Sequence, residues 1–217
     1  MTALFAPQLP ERDAQEIVPG AVHVPDRPAP DQRRWLADRF HEWAQGPVPL
    51  RAATVRGHRM SVRTVCLGRH RQPYRYTREA TDVNGARVLP FPDRMVRPGR
   101  RAPQATGHDT ATVGPYTPDT APVNHYDTGA RPGTRQDKDE ESRALVVSLS
   151  IGDTCTFRFG NTESRAKPHT DPLPASGDLF VFGGPARLAH RGVPGVRHQQ
   201  RPDQHHDAYD RARRVTA

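Results

Sequence analysis

The chain has 217 residues, a formal net charge of +8, 6% aromatic residues and 23 prolines. That length suffices for one substantial domain, with a core expected in the middle of the chain and little burial at its ends. The positive charge, almost all of it arginine, points to a polyanionic partner, nucleic acid before membrane. No apolar run reaches transmembrane length and no signal-like start is visible, so a soluble, cytoplasmic protein is expected. Two cysteines, Cys66 and Cys155, exclude a disulfide framework, and their apolar surroundings read as buried free thiols.

In chain order, residues 1–30 are proline-rich, with an apolar stretch from Ile17 to Val24 that suits an early strand. Asp31 has the character of an N-cap, and Trp35, Leu36, Phe40, Trp43 and Ala44 then form one apolar helical face that stops at Gly46-Pro47. From Ala52 to Tyr76 the pattern is strand-like: MSVRTVCLG, a basic link (Arg69, His70, Arg71), then PYRY. Such a hairpin can grip a nucleic-acid backbone through Arg69, Arg71, Arg75 and Arg78 and stack bases, or be an ordinary surface hairpin. Residues 77–121 predict irregular structure anchored at Leu89-Pro90-Phe91-Pro92.

The stretch from Val123 to Gly160 sets Asn124, Tyr126, Asp137, Lys138 and Asp139 ahead of two strand-like runs, Ala144–Ile151 and Thr154–Phe159. Gly152 and Asp153 between them read as a tight hairpin turn. The polar residues suit either a site mounted on a sheet or a solvated loop. Gly177-Asp178 introduces the apolar strand LFVFGG, and Arg187 to Val193 reads as a further short strand. From Pro194 the chain is too polar to bury much. Many short strands with Gly/Asp turns predict a jelly-roll-like sandwich or barrel preceded by one helix.

Taken together and in order, MSVRTVCLG, PYRY, VNHYD, QDKDE, VVSLSIGDTCTFRFG, SGDLFVFGG and RLAHRGV resemble the AlkB family of 2-oxoglutarate/Fe(II)-dependent dioxygenases, in particular its bacterial DNA-repair members. The resemblance implies a mainly β fold: a double-stranded β-helix (jelly-roll) core with an N-terminal helix and a β-hairpin nucleotide-recognition lid. It divides one domain into an extension and helix (1–46), a lid-like hairpin region (47–95) and the dioxygenase core (96–217). The implied activity is oxidative dealkylation of N-alkylated bases such as 1-methyladenine or 3-methylcytosine, releasing formaldehyde while 2-oxoglutarate becomes succinate and CO₂. The implied cofactors are Fe(II) and 2-oxoglutarate. The implied partner of this monomeric, membrane-free protein is single- or double-stranded DNA, or RNA.

Carried over residue by residue, Asn124, Tyr126 and Arg214 match positions that hold 2-oxoglutarate. Asp137 matches the carboxylate metal ligand. Tyr74, Tyr76, Asp139 and Arg165 match positions that contact the substrate nucleotide. Strand alternation puts Asn124 and Tyr126 on one face and His125 on the other. The metal positions depart from the family. Its His-x-Asp reads Arg135-Gln136-Asp137 here, its second His falls at Arg191, and its lid aromatic falls at Arg69. Guanidinium carries no lone pair to donate, so Arg135 and Arg191 cannot ligate iron. Two readings follow from different classes. In one, an active dealkylase recruits His190 to the metal beside Asp137 through a one-residue slip or bulge. In the other, a nucleic-acid-binding pseudoenzyme pairs Arg135 with Asp137 in an empty pocket. A third possibility is a degraded product that folds poorly.

Overall fold

Strands with one apolar face assemble here into two facing sheets, with helices held against them. The computed structural model describes residues 12–55, 57–72, 75–106, 116–127, 130, 133–138, 140, 142, 144–194 and 215–216. Its elements begin with β1 (Gln15–Val18), β2 (Ala21–Val24), α1 (Pro30–Ala44), β3 (Arg51–Val55), β4 (His58–Leu67), β5 (His70–Gln72), β6 (Arg75–Thr77) and α2 (Asp93–Arg101). There follow β7 (Ala121–Tyr126), β8 (Gly133–Arg135), β9 (Val146–Ile151), β10 (Arg158–Phe159), β11 (Leu179–Phe182), β12 (Arg191–Val193) and β13 (Val215–Thr216). An eight-stranded sheet runs β1-β2-β11-β9-β13-β7-β4-β3, a three-stranded sheet runs β10-β12-β8, and β5 pairs with β6 alone. Stretches 1–46 and 47–95 thus both contribute strands to the large sheet.

Period-2 alternation decides what each strand covers. On β7, Ala121 and Val123 pack with Leu36, Phe40 and Trp43 of α1, and His125 stacks on Phe40 at 5.3 Å between ring centroids. The even-numbered Asn124 and Tyr126 face the other way and line a cleft between the sheets. That cleft is closed at one side by aromatics: Phe159 of the small sheet meets Phe180 and Phe182 of the large one at 6.0 and 5.7 Å. Phe159 and Phe180 are fully buried, each contributing about 1.5–3 kcal/mol by leaving water.

Five expectations need correction. Asp31 is not the N-cap: the helix starts at Pro30 with Ala29 as its cap residue, because proline's fixed φ suits the first helical position. Gly152-Asp153 does not close a hairpin. β9 pairs with β11 and β13, whereas β10 pairs with β12, so the turn carries the chain from one sheet to the other. Gly152 adopts φ +100° there, a region costly for residues with a Cβ. Of Thr154–Phe159 only Arg158 and Phe159 are strand; Phe157 N–H instead donates to Pro172 O at 2.9 Å. The stretch expected to be irregular holds α2 despite Pro98 in its interior. Tertiary contacts hold it: the Arg94 guanidinium lies 5.2 Å from the Trp35 ring and pairs with Asp31 at 3.3 Å. Arg187 to Val193 splits into a 3₁₀ turn over Gly184–Leu188 and the strand β12. Cys66 and Cys155 are buried free thiols, as expected.

Among the described residues, no helix is long and apolar enough to cross a membrane.

Candidate active site

The cleft between the sheets has a volume of about 1280 Å³, and Tyr76, Asn124, Tyr126, Arg135, Asp137 and Arg191 all line it. β7 supplies Asn124 and Tyr126. Thr64, the Cα partner of Asn124 on β4, donates its hydroxyl to Asn124 Oδ1 at 2.8 Å and so fixes the amide's orientation.

The small sheet supplies the cleft floor. β12 and β8 pair so that Arg191 lies opposite Arg135. Their approach requires glycine between Arg191 and Val193, because a Cβ on Gly192 would collide with the Gly133 carbonyl. After β8 the chain is pinned by Gln136, whose amide donates to Thr162 O at 2.6 Å and Leu188 O at 2.7 Å. With Gln136 held outward, alternation leaves Arg135 and Asp137 on the cleft side.

Asp137 is held between two guanidiniums. Its Oδ2 lies 3.0 Å from Arg187 Nε and pairs with Arg191 Nη2, while its backbone N–H donates to Arg187 O at 3.3 Å. Both guanidiniums are buried and both are braced. Arg187 Nη1 donates to Ala144 O at 2.5 Å. Arg191 Nη1 donates to Arg187 O at 2.8 Å and Ala189 O at 3.3 Å, and its guanidinium carbon sits 4.3 Å from the Phe182 ring centroid. Burial pushes the Arg191 pKa down; Asp137 opposes that, and the neighbouring Arg135 and Arg187 charges reinforce it.

The pairing of Arg135 with Asp137 expected for an empty pocket is not what forms. Arg187 and Arg191 take the carboxylate, and Arg135 has neither ion pair nor side-chain hydrogen bond among the described residues. His190 is not brought to Asp137 either. It precedes Arg191 and alternates to the opposite face, where Nδ1 donates to Asn161 O at 3.1 Å. No group of three or more His, Cys, Asp or Glu side chains that could hold a metal ion occurs among the described residues. The residues at the positions that the resemblance implies for the metal therefore do not fit Fe(II): one carboxylate is present, paired with two guanidiniums.

At the cleft mouth, Tyr76 joins a second pair. Arg71 donates to Glu140 Oε1 from Nε and Nη2 at 3.1 and 2.8 Å. Burial alone would raise the Glu140 pKa, but Arg71, aided by Tyr76, holds it below the ordinary carboxylate value. Burial, then the Glu140 charge, pushes the Tyr76 hydroxyl up. Arg69 is similarly taken by Asp119 at 3.0 Å. Arg165 lies on an exposed loop, away from the cleft lining. Tyr74, Asp139 and Arg214 fall outside the described residues. Sequence reasoning missed Arg187, Gln136, Thr64 and Glu140. Only Arg187 had a signal: it is four residues before Arg191 within RLAHRGV.

A family model described as the 2OG-Fe(II) oxygenase superfamily matches residues 20–216. An alpha-ketoglutarate-dependent dioxygenase AlkB homolog from Caulobacter vibrioides is 40% identical over 119 residues, 54% of this chain and 54% of that protein. A DNA N(6)-methyladenine demethylase ALKBH1C from Arabidopsis thaliana is 31% identical over 160 residues, 66% of this chain and 35% of that protein. The solved structure of OsALKBH1 superposes with a TM-score of 0.80 at 25% identity, covering 94% of this chain and 97% of that one. The chain's match spans about half the length of the Caulobacter relative.

Proposed function

We propose that this chain, which belongs to the 2OG-Fe(II) oxygenase superfamily and is an AlkB homologue, serves oxidative dealkylation of N-alkylated bases in nucleic acid with its iron pole impaired. One observation carries the reading. Asn124, Tyr126 and Asp137 converge with Tyr76 on a single arginine-lined cleft between facing sheets. The two sheets suit the jelly-roll core of the family, and the β5–β6 hairpin, with Tyr76 on the cleft, suits its nucleotide-recognition lid. Asn124 and Tyr126, with Arg214, are the residues we assign to 2-oxoglutarate. Tyr74, Tyr76 and Asp139 are assigned to the nucleotide; the exposed Arg165 would reach it only from outside the cleft. DNA repair in the cytoplasm, by a monomer, is the setting this implies.

A second reading, binding of nucleic acid without turnover, is favoured by the state of Asp137. Its carboxylate is spent on Arg187 and Arg191, so the chemistry iron would supply has no ligand set here. One assay separates the readings: succinate and formaldehyde release from oligonucleotides carrying 1-methyladenine, 3-methylcytosine or N6-methyladenine, run beside binding of the same oligonucleotides. Slow turnover with retained binding supports the impaired dealkylase, and binding with none supports the second reading. Failure to bind any of them defeats both.

A further inference from the structure

The cleft floor has an unbalanced charge. Arg135, Arg187 and Arg191 face one carboxylate, Asp137. Arg135 and Arg191 are direct cross-strand partners, an arrangement of like charges that destabilises a sheet unless something neutralises it. Asp137 cancels one of the three charges, and carbonyl oxygens take Nη1 of Arg191 and Nη1 of Arg187. Arg135 is left exposed, with its donors unused by any described residue. The imbalance extends along the cleft, where nine arginines and five carboxylates line the wall among the described residues. Beside this floor, Asn124 has its Oδ1 occupied by Thr64, so the amide hydrogens are what it can offer a ligand.

We propose that this floor is a metal-independent binding site for a small oxyanion, a carboxylate or a phosphate, gripped by the guanidinium fork of Arg135. A guanidinium presents two parallel N–H donors that match either group, and a charge-assisted pair of this kind is about twice as strong as a neutral hydrogen bond. The buried Arg187–Asp137–Arg191 cluster holds the floor rigid and adds a net positive field behind the ligand. The site stands on this charge balance and not on the dealkylase reading, and it is tested without metal, nucleic acid or turnover.

The test is calorimetric titration of the full chain in EDTA at low ionic strength, once with succinate and once with inorganic phosphate. One-site saturable binding of either is expected, and the preferred ion identifies whether carboxylate or phosphate is the natural group. Arg135→Gln should weaken that binding by about tenfold or more, the loss of one charge-assisted fork. Since Arg135 is exposed and the substitution removes a like-charge cross-strand pair, the variant should melt no lower than the parent, which a thermal scan checks. Arg158→Gln serves as the control for bulk charge, because Arg158 pairs with Asp171 outside the cleft lining. Absence of saturable binding, unchanged binding in Arg135→Gln, or equal weakening in Arg158→Gln would each overturn the proposal.

Discussion

Arg191 reaches Asp137 across the cleft floor and forms an ion pair with its carboxylate, the group we assign to the metal. Arg187 closes the same carboxylate from the 3₁₀ turn. All three side chains are nearly shielded from water, so the cluster is a structural element of the floor. Removing the acid would leave two buried guanidiniums without a counter-charge. Asp137→Ala should therefore destabilise the fold by about 3–5 kcal/mol, read by urea unfolding in EDTA. A carboxylate that served only to hold iron would instead leave the metal-free fold unchanged or steadier.

A second buried carboxylate ties the N-terminal segment to the large sheet. Asp178 is fully buried, accepts from Arg12 at 2.6 and 3.0 Å, and lies 2.9 Å from His23 Nε2. Backbone N–H groups of Ala175 and Asp26 complete its shell. Burial alone would raise its pKa, but His23, Arg12 and the two amides outweigh that and hold it far below the usual range. A depressed folded-state pKa gives stability that is present above the unfolded value of about 3.9 and lost as pH falls through the folded one. Asp178→Asn should cost about 1.5–3 kcal/mol near neutral pH, and the gap from the parent should shrink below about pH 4. A constant gap between pH 7 and pH 3 in denaturant titrations would contradict this.

The arginines near the hairpin are not equally available to phosphates. Arg69 is held by Asp119 and Arg71 by Glu140, whereas among the described residues Arg75 meets only the neutral Gln72 amide oxygen, at 2.9 Å. Glu140→Gln should free Arg71 and steepen the salt dependence of single-stranded DNA binding, and Arg75→Gln should flatten it. Each phosphate newly neutralised, or no longer neutralised, changes the slope of log K against log salt by about 0.7. Fluorescence anisotropy across a salt series measures this; slopes that match the parent in both variants would remove the hairpin from the interface.

Restoring iron requires more than one substitution. Arg135→His alone leaves Asp137 paired to Arg187 and Arg191, so neither metal binding nor formaldehyde release should rise above the parent's. Arg135→His with Arg191→His supplies two imidazoles and frees one side of the carboxylate, and iron binding should return weakly. Adding Arg187→Gln should tighten it, because the last guanidinium competing for Asp137 is gone. Metal binding by the single variant that equals the triple variant would show that the ion pairs do not obstruct the site.

Much of this was legible in the sequence. Alternation in VNHYD separates Asn124 and Tyr126 from His125, and the structure keeps that separation because α1 claims the His125 face through Phe40. The apolar runs of β9 and β11 are equally visible. What could not be read is where partners come from. Gly152-Asp153 has the composition of a hairpin turn, yet the hydrogen bonds of Phe157 and Phe159 go to Pro172 and Thr170, and such long-range pairing leaves no local mark. The same holds at the floor. Arg135 and Asp137 are two residues apart and invite pairing, but Arg187 and Arg191 win the carboxylate from about fifty residues away along the chain. His190 was an attractive ligand by type, and alternation along β12 turned it from the cleft.

The central claim is that the iron pole of this oxygenase fold is closed by the Arg187–Asp137–Arg191 ion pairs. Anaerobic titration of the full chain with Fe(II), with and without 2-oxoglutarate, tests it most directly. The account predicts no saturable Fe(II) binding in the micromolar range under either condition. Stoichiometric binding of Fe(II), tightened by 2-oxoglutarate, would contradict it.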